Sequence, residues 1–217
     1  MPSFVEISSF SRSEVKKLTK SFSCKKHTSL LEYIRQFAYK HSKEGLYRTY
    51  LLEIDGTYSA YISISLATVQ NRDDSFSKIK DITQLQQNLS YAVPALKITR
   101  LCVFDQMQGK GIGSIMMTFA EILSMQTQAK TGCKIEIVDA KKDAITFYEN
   151  AGFEQVNLES EGETTLMIKK VVTPHELKGF EKDERLRYLR DIKEFCAVFE
   201  LVNEYNVIEK YYEANVL

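Results

Sequence analysis

The chain has 217 residues, of which 44% are hydrophobic and 27% are charged, a composition typical of globular domains. Its 29 basic and 29 acidic residues cancel, which excludes a protein that coats nucleic acid with its whole surface, because such proteins are strongly basic. No apolar run reaches the roughly 20 residues of a membrane helix. The N-terminus lacks a secretory-signal pattern, so we expect a cytoplasmic protein that does not contact membranes.

The first part of the chain predicts two helices. Ser11 and Glu14 fit a capping box, which opens a helix by pairing its free backbone groups, and this helix is expected to run to Phe22. A second helix is indicated by apolar residues at helical spacing, namely Leu30, Leu31, Ile34, Phe37 and Ala38.

A β-hairpin is predicted next. Residues 47–54 and 58–67 are rich in β-forming side chains. Between them lie Asp55 and Gly56, turn residues that tolerate positive φ. Residues 68–90 are polar and predict a loop with one helical turn.

A strand, a glycine-rich loop and a helix are expected in the middle of the chain. The strand covers residues 95–103, and the loop runs from Gln108 to Gly113. The helix that follows has one apolar stripe, formed by Ile112, Ile115, Met116, Phe119, Ile122 and Leu123.

Another strand, helix and hairpin complete the predicted domain. The strand covers residues 134–138, and Asp139 is expected to cap a helix on which Ala144, Ile145 and Tyr148 share one face. Gly152 is expected to end this helix. The last hairpin is predicted at about residues 153–157 and 164–171.

The element order predicts an α/β (α+β) fold in which a mixed, mostly antiparallel sheet is flanked by helices. We expect one domain over residues 1–171 and a charged helical extension over residues 172–217. Charge differs between the ends: residues 1–45 have 9 basic and 4 acidic side chains, and residues 172–217 have 7 basic and 10 acidic.

The four cysteines are scattered along the chain, which favours reduced thiols in a cytosolic protein. Cys24 and His27 form a lone pair at metal-ligand spacing. Because a second such pair is missing from the sequence, we expect no metal site.

The loop from Gln108 to Gly113 is the strongest functional signal. Glycines let several backbone N–H groups point at one place, and the start of the next helix adds partial positive charge, so phosphate is the expected ligand. A P-loop would need Ser or Thr after Lys110, where this chain has Gly111. A dinucleotide-binding fold would place its glycines after the first strand, whereas here helices and a hairpin are predicted before the loop. A loop whose glycines only cap and pack the helix is the remaining alternative.

Two motifs together resemble the GNAT acetyltransferase superfamily. Gln108, Gly111 and Gly113 fill its pyrophosphate-loop pattern, and residues 144–153 look like its Ala-Ile-x-Phe-Tyr signature ending in Gly-Phe. The resemblance covers roughly residues 1–171. It implies the GNAT fold, acetyl-CoA as co-substrate and an acyltransferase activity.

Residues 24–51 and 94–103 are similar to the GNAT toxins of bacterial toxin–antitoxin pairs, which acetylate the α-amine of aminoacyl-tRNA. Two positions depart from the superfamily pattern: Phe104 intervenes before Asp105, and Lys141 stands where an Asn often contacts the cofactor.

The resemblance implies a set of site residues. Backbone of Leu101, Cys102 and Val103 would pair with the pantetheine arm, with the Val103 N–H as oxyanion donor and Tyr148 as general acid. The pyrophosphate would be held by Gln108 and by the backbone of the following residues: Gly109, Lys110, Gly111, Ile112, Gly113 and Ser114.

The sequence does not single out a general base among Glu53, Asp105, Glu121 and Glu136. This suits an α-amine, whose pKa of about 7.7–8.0 leaves it partly neutral, better than a lysine at about 10.4. Basic residues near the N-terminus are candidates for phosphate contacts with tRNA. These candidates are Arg12, Lys16, Lys17, Lys20, Lys25 and Lys26.

The sequence is compatible with three functions. The first is acetylation of a charged tRNA, and the second is acetylation of a small amine or a protein amine. The third is binding of CoA without catalysis, in a protein that interacts with other proteins. An antitoxin protein and a second copy of the chain are candidate partners in addition to acetyl-CoA and the acceptor.

Overall fold

A computed structural model describes residues 2–70, 79, 92–156 and 162–216. Among these residues the strands, in chain order from β1 to β7, are Ser3–Glu6, Arg48–Ile54, Thr57–Val69, Val93–Val103, Ile135–Lys141, Glu154–Gln155 and Thr164–Lys170. The helices, in chain order from α1 to α8, are Arg12–Leu18, Thr28–Gln36, Ala38–Lys43, Ile112–Lys130, Ile145–Asn150, Pro174–Lys178, Lys182–Val198 and Val202–Val216.

The strands form one sheet in the order β1-β2-β3-β4-β5-β7-β6. The pairs β1–β2, β2–β3, β5–β7 and β6–β7 are antiparallel. This mixed, mostly antiparallel sheet with helices confirms the predicted fold class. The chain divides into two compact units: residues 1–65 with 98–119, and residues 66–97 with 120–217.

The first unit contains the two predicted N-terminal helices and the hairpin. Ser11 and Glu14 form the expected capping box at the start of α1. The turn residues Asp55 and Gly56 both have positive φ, at 49° and 76°. The core of this unit is built from buried side chains that include Ile7, Ile34 and Leu51.

The second unit contains β5, β7 and the C-terminal helices. Ile137 and Ile168 are register partners on β5 and β7 and belong to one apolar cluster. The C-terminal extension is helical, as predicted, and it begins with a capping box between Thr173 and Glu176. Gly152, with a φ of 86°, follows the end of α5 as expected.

Three local predictions are wrong. Asp139 does not cap a helix, because it lies within β5 and forms an ion pair with Lys97 at 2.6 Å. The second helix is interrupted at Phe37, whose side chain is 42% exposed instead of buried on the stripe. Strand β3 continues to Val69, two residues into the predicted loop. The rest of that loop lies largely outside the described residues, as does position 157 of the last hairpin.

Candidate functional site

The glycine-rich loop lies between β4 and α4, as the sequence predicts. A short 3-10 turn, Asp105–Met107, follows β4. Gly109 and Gly111 then adopt positive φ angles of 74° and 77°, which residues with a Cβ adopt only at a cost. A Cβ at either glycine would meet no atom within 4 Å, so the loop surface is open above both positions.

The backbone of this loop offers unused hydrogen-bond donors. The N–H groups of residues 109–113 donate no hydrogen bond of good geometry to any part of the chain that the structure describes. The N–H of Ser114, in contrast, is bonded to the carbonyl of Gly111 at 3.1 Å. Five of the six N–H groups assigned to the pyrophosphate are therefore available. They stand at the start of the 19-residue helix α4, where the helix dipole favours an anion.

Gln108 braces the loop against the end of β4. Its Nε2 donates to the carbonyl of Val103 at 3.0 Å. Leu101 and Val103 are half-buried, whereas Cys102 between them is buried. The Gln108 side chain thus holds the strand end that was predicted to bind the pantetheine arm.

Asp105 ties the same strand end to the segment before α2. Its carboxylate accepts the N–H of Lys25 at 3.2 Å on each oxygen, and its own N–H donates to the carbonyl of Ser23 at 3.0 Å. Asp105 is therefore a structural clamp, which makes it a poor candidate for a general base.

Cys102 is unsuited to act as a nucleophile. Burial and the neighbouring Cys24 thiol both raise the pKa of Cys102 far above its ordinary value. The thiolate is the reactive form of cysteine, so this side chain stays a neutral, apolar member of the core.

Tyr148 is buried in the second unit, with 6% of its surface exposed. Its ring contacts those of Phe147 and Phe153, with centroids 5.0 and 5.6 Å away. Among the described residues its hydroxyl has no hydrogen-bond partner. Burial raises the pKa of Tyr148, so at neutral pH the phenol carries a proton that it can donate.

Two more of the carboxylates proposed as bases, Glu121 and Glu136, already have partners. Glu121 accepts hydrogen bonds from Lys169 at 2.8 Å and from Tyr188 at 3.0 Å. Glu136 is 1% exposed and accepts the Ser124 hydroxyl at 2.7 Å. Burial raises the pKa of Glu136 to about 7, against the opposing effect of Lys169.

The basic residues proposed for phosphate contacts separate into two sets. Lys16 and Lys20 line a groove together with Arg35, whereas Lys17, Lys25 and Lys26 do not line it. Arg35 was missed because α1 is distant from it in sequence, and only the packing of the helices brings them together.

The described residues contain no cluster of three or more His, Cys, Asp or Glu side chains that suits a metal ion. None of the helices in the same residues is long and apolar enough to cross a membrane. All four cysteines are free thiols.

Comparisons with known proteins agree with the fold. Residues 67–155 match the family described as the acetyltransferase (GNAT) domain, which confirms the resemblance seen in the sequence. No curated protein sequence is significantly similar to the chain.

Three solved structures illustrate the likeness. A bacterial toxin has a TM-score of 0.65 at 18% identity, over 82% of this chain and 94% of its own. A mutant of KacT in which a tyrosine is replaced by phenylalanine has a TM-score of 0.61 at 15% identity, over 78% and 95%. AtaT complexed with acetyl-methionyl-tRNAfMet has a TM-score of 0.59 at 19% identity, over 77% and 94%. At these identities the likeness to solved structures concerns the fold.

Proposed function

We propose that this chain is a GNAT acetyltransferase, that it transfers the acetyl group of acetyl-CoA directly to a primary amine, and that its acceptor is the α-amine of aminoacyl-tRNA. The observation that carries the cofactor assignment is the row of unused N–H groups over residues 109–113 at the start of α4. A pyrophosphate needs several donors, and residues 109–113 have N–H groups that make no hydrogen bond of good geometry within the described chain.

The chemical roles follow the resemblance. Backbone of Leu101, Cys102 and Val103 pairs with the pantetheine arm, and the Val103 N–H donates to the oxyanion that develops on the thioester carbonyl. The neutral amine attacks this carbonyl, the C–S bond breaks, and the Tyr148 hydroxyl protonates the departing thiolate. The proton that the amine nitrogen loses as the amide forms passes through water and restores the phenol. The role of Tyr148 rests on its position in the signature over residues 144–153 and on its unpaired hydroxyl; a phenol is protonated at neutral pH, and burial, which raises the pKa of Tyr148 in the chain without substrates, keeps it so.

The choice of acceptor is supported by the carboxylates. Asp105 clamps backbone, Glu121 is paired with Lys169, and Glu136 is buried, so these three are poorly placed to act as a base for a fully charged lysine. An α-amine with a pKa of about 7.7–8.0 is partly neutral without a base, and aminoacyl esters are expected to be more acidic still.

The structural neighbours support the same choice. AtaT has been solved with acetyl-methionyl-tRNAfMet and with the C-terminus of the antitoxin AtaR, and KacTA has been solved with DNA. We therefore propose an antitoxin protein as a partner of this chain. AtaT and KacT have also been solved as tyrosine-to-phenylalanine mutants, which is consistent with a functional tyrosine in this fold.

The proposal is tested by adding the protein and labelled acetyl-CoA to a bacterial translation extract and separating tRNA, protein and small molecules. We expect the label in aminoacyl-tRNA, with translation inhibited. Label only in small amines or in protein would reject the tRNA acceptor but keep the acetyltransferase. Unreacted acetyl-CoA that remains bound to the protein would favour a non-catalytic CoA-binding protein.

A further inference from the structure

A basic groove runs along the N-terminal helices of the first unit. Helix α1 forms one wall, and the end of α2 and helix α3 form the other. Its cavity volume is about 490 Å³, and a neighbouring cavity of about 410 Å³ shares Lys16 and Arg35 with it. We call these two adjoining cavities together the basic groove.

Positive charge dominates this groove. The cations that line the larger cavity are Arg12, Lys16, Arg35, Lys40 and Lys43, and Lys20 lines the neighbouring one. Glu44 is the single carboxylate among the lining residues, and it lies 3.8 Å from Lys40 with both side chains exposed. Exposed ion pairs of this kind are weak, so they leave the groove strongly cationic.

Arg35 is held in a fixed orientation in the groove. Its Nε donates to the carbonyl of Thr19 at 3.1 Å, and its Nη2 donates to the carbonyl of Phe22 at 2.8 Å. A guanidinium has five N–H donors, so the remaining donors are free to contact a phosphate. Because the fork is already positioned, it loses little side-chain entropy when it binds an anion.

An exposed aromatic ring lies beside these cations. Phe37 lines the groove at the break between α2 and α3, and 42% of its surface is exposed. Exposed aromatic side chains next to a cationic track are typical of surfaces that bind nucleic acid, because bases stack on the ring while phosphates meet the cations. The six cations that line the groove also fit a polymer better than a single small anion.

We propose that the basic groove binds the phosphate backbone of an RNA, with Arg35 as a fixed phosphate ligand and Phe37 as a stacking platform. This inference rests on the proposed function in one respect, namely that the acceptor amine belongs to an aminoacyl-tRNA. It locates RNA binding in residues that the first unit brings together, and it separates them from the other N-terminal lysines, namely Lys17, Lys25 and Lys26.

The test compares two triple variants with the same loss of charge. One removes groove lysines (Lys16→Ala, Lys40→Ala, Lys43→Ala), and its control removes basic residues outside the groove (Lys17→Ala, Lys25→Ala, Lys26→Ala). Binding of labelled, deacylated tRNA to the full chain is measured by fluorescence anisotropy over a series of salt concentrations. Melting of each variant with and without acetyl-CoA shows whether the fold and the cofactor site are intact.

We expect the groove variant to bind tRNA at least about tenfold more weakly at moderate salt, and the slope of log affinity against log salt to fall by about 2, since each lost phosphate contact removes roughly 0.7–0.9. The control variant should remain within about threefold of the wild type, because its lysines lie outside the groove. Both variants should keep the acetyl-CoA shift in melting temperature.

Equal losses in the two variants, or wild-type binding in the groove variant, would overturn the proposal. Displacement of tRNA by polyglutamate at equal charge concentration would also overturn it, because the groove would then accept acidic peptides. Absence of acetyl transfer with intact tRNA binding would reject the proposed function and leave the groove assignment standing. If the groove variant acetylated aminoacyl-tRNA at the rate of the wild type, the groove assignment would be rejected and the proposed function would stand.

Discussion

Helix α5 and the C-terminal extension both bury a tyrosine, but they treat its hydroxyl differently. Tyr148 on α5 is 6% exposed, and its hydroxyl has no partner among the described residues. Tyr212 on α8 is fully buried, and its hydroxyl donates to Oε1 of Gln128 at 2.8 Å and contacts the carbonyl of Val172. Burial raises the pKa of both phenols. The two tyrosines are therefore buried to a similar extent, but only the Tyr212 hydroxyl has hydrogen-bond partners within the described residues.

The comparison indicates how to distinguish polar groups that hold the fold from those that await a ligand. Buried polar groups are normally paired, and the extension follows this rule through Tyr212 and through Glu176, which accepts hydrogen bonds from Lys134 and Thr173. The Tyr148 hydroxyl and the N–H groups of the glycine loop, where residues 109–111 are exposed, have no such partner within the described residues. We infer that these groups find their partners in the substrates.

The largest effect is expected from Tyr148→Phe, which removes one oxygen and keeps the ring. If the hydroxyl protonates the thiolate, kcat should fall by about 10²–10⁴, while KM for acetyl-CoA and the melting temperature should change little. Steady-state kinetics with any working amine acceptor would measure this.

Tyr212→Phe is the matched control. It leaves partners of the hydroxyl unpaired in the interior, so it should cost about 1–3 kcal/mol of unfolding free energy and leave kcat within a few-fold of the wild type. A Tyr148→Phe variant that turns over normally, or a Tyr212→Phe variant that loses activity without losing stability, would break the distinction between the two tyrosines.

A second prediction concerns Glu136, the exception among the buried groups of the second unit. One of its oxygens accepts Ser124, and the other, although buried, has no partner. Burial raises its pKa from 4.5 to about 7, so the folded state favours the protonated acid. Its contribution to stability is therefore complete below about pH 4.5 and is lost as the pH rises through 7, a loss of about 3 kcal/mol.

Glu136→Gln should remove this pH dependence. Urea unfolding at pH 5 should give similar stabilities for the variant and the wild type, and at pH 8.5 the variant should be more stable by up to about 3 kcal/mol. Glu121→Gln, which removes the negative charge that pairs with Lys169 at 2.8 Å, should instead destabilise the protein at both values. Parallel pH profiles for Glu136→Gln and wild type would refute the interpretation.

The smallest effect is expected from Gly111→Ala. Alanine at a φ of 77° costs about 1–2 kcal/mol, so the loop should relax, and affinity for acetyl-CoA should fall about 5- to 30-fold. The thermal shift caused by acetyl-CoA measures this change. Gly45→Ala has nearly the same φ, 73°, and equally open surroundings, so it should carry the same strain without weakening acetyl-CoA binding.

Local patterns in the sequence were sufficient for most of the fold. The capping box at Ser11, the turn at Asp55 and Gly56 and the positive φ of Gly111 each depend on a few neighbouring residues, and the structure contains all of them. Asp139 was misassigned because its partner, Lys97, lies 42 positions away, and its ion pair outweighs the local preference for a helix cap.

The same limit applies to the site. The glycine loop could be predicted because its donors are consecutive in the chain. Arg35 could not, because its role in the groove depends on the packing of α2 against the 3-10 turn that follows α1, which brings it to the carbonyls of Thr19 and Phe22. Phe37 was placed on a buried stripe since periodicity alone does not reveal that α2 ends at Gln36.

A calorimetric titration of acetyl-CoA into the purified chain tests the cofactor site directly. We expect one site per chain, with CoA competing for it and with affinity reduced in Gly111→Ala but not in Gly45→Ala. Absence of binding by the folded wild-type protein at millimolar acetyl-CoA, or equal affinity in both glycine variants, would contradict the assignment of the loop over residues 109–113 to the pyrophosphate.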